Sequence, residues 1–78
     1  MIILLKNLIT EEKMYLTLVF GDIKFTNNIS IAADFSAEDG LRLVENLNEM
    51  NKRFNVTNKV FELVDKNETI KGEIKNGK

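Results

Sequence analysis

The stretch Met14-Tyr15-Leu16-Thr17-Leu18-Val19-Phe20-Gly21-Asp22-Ile23-Lys24-Phe25 alternates strongly apolar side chains with smaller or more polar ones on both sides of a glycine. A period of two places Met14, Leu16, Leu18 and Phe20 on one face of a β-strand and Tyr15, Thr17 and Val19 on the other. Gly21-Asp22 reads as the two-residue loop of a hairpin, of the type II′ kind, because glycine enters the positive-φ region without a Cβ penalty. That loop sets Phe20 opposite Ile23, Leu18 opposite Phe25, Leu16 opposite Asn27 and Met14 opposite Ile29, so the apolar faces coincide at all but one position. The alternation runs on through Ile29, Ile31, Ala33 and Phe35, with Lys24, Thr26, Asn28, Ser30 and Asp34 facing the other way. It predicts one long strand, bulged or turned at Asn27-Asn28.

Downstream, the period changes from 2 to 3.6. Ser36 is placed to cap a helix whose first turn carries Glu38 and Asp39, where free N–H groups and the positive end of the helix dipole favour acids. Leu43, Leu47, Met50 and Phe54, joined by Leu41 and Val44, form one apolar stripe, and Lys52 and Arg53 fall in the last turn. Gly40 is out of place in a helix interior, and close packing against the sheet would account for it. A strand is expected over residues 59–64, then a polar turn at Asp65-Lys66-Asn67-Glu68 and a second strand carrying Ile70 and Ile74. In that strand Lys71, Glu73 and Lys75 dress a sheet edge. Residues 76–78 are expected to fray, leaving one domain over residues 1–75.

Working back to the beginning, Ile2 to Ile9 is apolar on both faces of a strand, interrupted only by Lys6 and Asn7. The predicted order is therefore β-β-β-α-β-β, an α+β fold with a small antiparallel sheet and one amphipathic helix packed on one face. A first strand buried on both sides calls for a second layer of cover, and a symmetric partner chain would supply it. A homodimer is expected on that ground. With 78 residues, no Cys and no His, the chain also lacks disulfides and the commonest metal ligands as reinforcement.

Composition excludes several function classes. The net charge of −1 is spread along the chain, with neither a basic stripe for phosphates nor an acidic block. No Ser lies in a nucleophile motif, and no glycine array cradles a phosphate. Glu45 and Glu49 are spaced like paired carboxylates. The i,i+4 pairs Glu38–Arg42 and Glu49–Arg53, however, mark a solvated helix face. No catalytic, cofactor-binding or metal-binding residue is assigned, and no cofactor is expected. The apolar start is far shorter than the ~20 residues of a membrane helix and lacks the features of a leader, and the absence of Cys fits a cytoplasmic protein. Abundant Asn, Lys and Ile with no Pro or Trp match the chains of low-GC bacteria and their phages.

The reading that follows is a non-enzymatic accessory protein of phage or mobile-element type that binds and modulates a host protein as a homodimer. Its expected contact surface is Ile2, Leu4, Leu8, Tyr15, Thr17 and Val19, where apolar surface exceeds what one helix can cover. The alternatives are a single-stranded nucleic-acid-binding protein, using Tyr15 with Lys24, Lys71 and Lys75 on an open sheet face, and a structural or assembly subunit.

Overall fold

A computed structural model describes the backbone of residues 1–76 and the side chains of residues 1–72. Strands β1 (Ile2–Asn7), β2 (Lys13–Val19), β3 (Asp22–Thr26) and β4 (Lys59–Val64) form one antiparallel sheet in the order β3-β2-β1-β4. Helix α1 (Ala37–Arg53) lies over β4 and β1, and a second helix, α2 (Lys66–Asn76), follows β4. The expected α+β class with an antiparallel sheet and a long helix on one face is what the chain forms.

Local chemistry starts and stops α1 as its sequence dictates. The Ser36 side chain accepts from the Asp39 N–H at 3.1 Å, satisfying one of the free donors of the first turn. At the far end Asn55 takes the left-handed conformation, φ 57°, the usual way for a helix to end at an Asn. Gly40 is buried, and a Cβ there would lie 2.5 Å from Leu63 Cδ1, so the glycine is what lets the helix come down close to β4. Glu38–Arg42 and Glu49–Arg53 pair across exposed turns at 3.3 and 3.8 Å.

Three expectations are corrected. The hairpin register pairs Val19 with Asp22, Leu18 with Ile23 and Leu16 with Phe25, so the loop is Phe20-Gly21 rather than Gly21-Asp22. Both loop residues have positive φ, 51° and 82°, which makes the turn type I′. The slip is two residues, so the faces match as expected even though every partner changes.

The long third strand ends at Thr26. Thr26 Oγ1 accepts from the Asn28 N–H, and Asn28 Oδ1 accepts from the Ser30 N–H at the start of a 3-10 turn, Ile29–Ile31. Short polar side chains here offer the backbone local partners in place of a ladder.

The expected last strand is helix α2. Asp65 Oδ1 accepts from the Glu68 N–H at 3.0 Å, so Asp65-Lys66-Asn67-Glu68 is a helix cap and not a hairpin turn. The order is β-β-β-α-β-α. Of the expected frayed tail, Asn76 closes α2, and residues 77 and 78 lie outside those described.

Two clusters make the core, one on each side of the sheet. On the α1 side Ile3, Leu16 and Phe61 pack with Val44, Leu43 and Leu47. On the opposite side Ile2, Leu4 and Tyr15 pack with Ala32, Ile29 and Val64. The connection from β3 to α1 supplies both: Ile29 and Ala32 cover the back, and Ala33 and Phe35 join the α1 side. The Thr17 hydroxyl donates to the Ile31 carbonyl at 2.6 Å, the Ala33 N–H to the Leu16 carbonyl and the Phe35 N–H to the Met1 carbonyl. The second layer over β1, expected from a partner chain, is therefore built within the subunit.

Helix α1 also closes one sheet edge. The Asn48 side-chain amide accepts from the Phe61 N–H at 2.8 Å and donates to the Phe61 carbonyl at 2.9 Å, standing in for a neighbouring strand. Replacing Asn48 by Ala strands two partly buried backbone groups, and urea denaturation should show a loss of about 1–3 kcal/mol. Asn46→Ala, on the exposed side of α1, should leave stability within about 0.5 kcal/mol.

Candidate interaction surface on the β2–β3 hairpin

The pairing fixes which side chains share each face. Met14, Leu16 and Leu18 of β2 lie on the α1 side with Ile23 and Phe25 of β3, whereas Tyr15, Thr17 and Val19 lie on the back with Asp22, Lys24 and Thr26. Because α1 sits over β4 and β1, the hairpin half of its own side is left open. Leu16 is buried, but Leu18 is 49 % exposed, Ile23 47 % and Phe25 38 %, with Met14 beside them similarly open. The Phe25 ring still leans inward, its centroid 6.1 Å from that of Phe61.

Exposure therefore does not follow the alternation: Leu16 is buried and Val19 exposed as it suggests, but Leu18, Tyr15 and Thr17 are the opposite of what it suggests. The face expected to be core is half open at the hairpin. Of the expected contact surface, Ile2, Leu4, Tyr15 and Thr17 are buried beneath the 29–32 segment, and only Leu8 and Val19 reach solvent. The nucleic-acid set is likewise dispersed. Tyr15 is 3 % exposed and has no ring face to offer, Lys24 lies on the edge strand, and Lys71 is on α2 paired with Glu68 at 3.9 Å. The Lys75 side chain lies outside those described.

Phe20 is the residue that sequence reasoning misplaced most. It was expected to extend the apolar strand face, yet it occupies the first loop position of the I′ turn with its side chain fully exposed. A left-handed backbone costs a non-glycine residue about 1–2 kcal/mol, and such turns favour Asn, Asp or Gly for that reason. Fully exposed, the ring recovers none of that cost through burial against the described residues. Further apolar side chains are open at the end of α1: Met50 and the C-cap residue Phe54 are exposed, and helical spacing sets Met50 on the flank opposite Asn48.

Elsewhere, an open groove of about 590 Å³ runs between the end of α1 and the start of β4, lined by Asn48, Asn51, Lys52, Asn55 and Lys59 among others, without a carboxylate. Two of those amides are already engaged, since Asn48 holds Phe61 and Asn51 donates to the Lys59 carbonyl. Among the described residues no three His, Cys, Asp or Glu side chains are grouped to share a metal ion, and no helix is long and apolar enough to cross a membrane. No protein-family model, curated protein or solved structure matches the chain.

Replacing Phe20 by Asn removes the left-handed penalty and an exposed ring together. The variant should be more stable by about 1 kcal/mol, raising the melting temperature by about 5 °C in a thermal scan.

Proposed function

We propose that the protein acts without chemistry of its own, by binding another protein through the α1-side face of the β2–β3 hairpin, with Phe20 as the anchoring ring. The observation that carries this reading is a fully exposed phenylalanine held in a left-handed turn position that other residues fill at lower cost. Strained residues whose cost the fold does not recover are characteristic of sites that work on something outside the subunit. Leu18, Ile23 and Phe25, half-exposed on the strands beside that turn, add apolar surface of the kind that, with an aromatic ring, dominates the energetics of protein interfaces. An accessory role, in which the chain modulates a target by occupying its surface, suits such a module.

The test uses the immobilised chain and its Phe20→Asn and Leu18→Thr variants as baits for a host-cell lysate, with and without nuclease and across a salt series. Apolar docking should yield partners that survive nuclease and high salt and are depleted at least tenfold on the Phe20→Asn bait, which is the better folded of the two. Retention of every partner by both variants, or loss of all of them on nuclease treatment, would overturn the reading.

A further inference from the structure

The two edges of the sheet are treated differently. On β4 the outward N–H and C=O of Phe61 are taken by Asn48 and the Lys59 carbonyl by Asn51. On β3 no comparable bond is made among the described residues. Val19 and Asp22 flank a two-residue loop and so form a hydrogen-bonded pair, and pairing alternates from there along the hairpin. Ile23 and Phe25 therefore turn their N–H and C=O groups away from β2, and no hydrogen bond among the described residues takes them. Both residues also present half-exposed apolar side chains, so β3 is an open, apolar strand edge.

We infer that this edge pairs with the same edge of a second copy, β3 against β3, antiparallel and centred on Ile23. The side-chain alternation permits only registers that keep the apolar faces together. Centring on Lys24 would set Lys24 directly against Lys24 of the second copy, and like charges opposite one another destabilise a sheet. Centring on Phe25 would set Lys24 against Thr26 and Ile23 against the polar Asn27, which forms no ion pair and mixes the apolar face. Centring on Ile23 makes the pairs inside the strand complementary: Asp22 faces Lys24 of the second copy and Lys24 faces its Asp22, giving two cross-strand ion pairs on the back. On the α1 side Ile23 meets Ile23, and Phe25 lies across from Gly21, around which the structure leaves open space for a ring.

This dimer is built on the strand edge and not on the Phe20 ring, so it goes beyond the binding reading above and stands without it. It would join the two hairpin faces into one strip, Leu18-Ile23-Ile23-Leu18, across an eight-stranded sheet.

Sedimentation equilibrium over a wide concentration series provides the test. The mass should rise from 9.0 kDa towards twice that value as concentration increases. Lys24→Asp and Asp22→Lys, each placing like charges opposite one another twice, should weaken association about tenfold, and the combined swap should restore it. Ile23→Pro removes an outward N–H that β2 does not use, so it should leave a folded monomer, with folding verified by circular dichroism. A wild-type mass fixed at 9.0 kDa, or association indifferent to Ile23→Pro, would overturn the pairing. Failure of the charge swap to rescue would overturn its register. Because Lys24 lies on the back and not on the α1-side binding face, Lys24→Asp should weaken the dimer and leave capture of a hetero-partner intact, which separates failure here from failure of hetero-binding.

Discussion

The structure depends on how β1 is covered. Ile2, Ile3 and Leu4 point alternately to the two sides of the sheet and all are buried, so the strand cannot sit in a two-layer domain with one bare face. Each fully buried side chain contributes roughly 1.5–3 kcal/mol, a large fraction of what so small a core supplies. One helix covers the first side. The chain between β3 and α1 covers the second, then passes to the α1 side near the start of β1, where Phe35 bonds to Met1 and Ala33 to Leu16.

That solution determines where α1 lies. A connection arriving beside β1 delivers Ser36 and the first turn of the helix over β1 and β4, and Gly40 permits close approach to Leu63. Asn48 and Asn51 then secure the far edge of β4. A helix of 17 residues committed to that side cannot also shelter the hairpin, so the open faces of Leu18 and Ile23 follow from the way β1 is buried.

This is also why the sequence was legible in parts. The presence of a hairpin, though not its loop or register, the helix with its N-cap and β4 rest on signals confined to a few neighbouring residues, such as Ser36 before Glu38-Asp39, and the structure reproduces them. The segment 27–35 keeps a period of two without being a strand, because Asn27-Asn28 break the ladder locally while Ile29 and Ala32 are claimed by a distant cluster. Helix α2 was detectable: Asp65 and Glu68 have capping-box spacing, and Ile70 and Ile74 suit a helix as well as a strand. The candidate surface was less accessible. Alternation states which residues share a face, but which half of a face the helix will cover is decided by a chain crossing that no local pattern records.

The two edges and the turn converge on one interpretation of the hairpin. Where this domain guards a surface it does so with specific groups, as Asn48 does for Phe61. The contrast makes the bare edge of β3 and the exposed ring of Phe20 harder to assign to neglect. Lys24 gives β3 some protection, since charge on an edge strand discourages indiscriminate pairing. A single Lys flanked by Asp22 is nevertheless a selective guard: it opposes a strand that presents a cation and admits one that presents a carboxylate. Selectivity of that kind is what separates a recognition edge from an aggregation-prone one, and here it resides in the residue pair that lies directly behind Ile23.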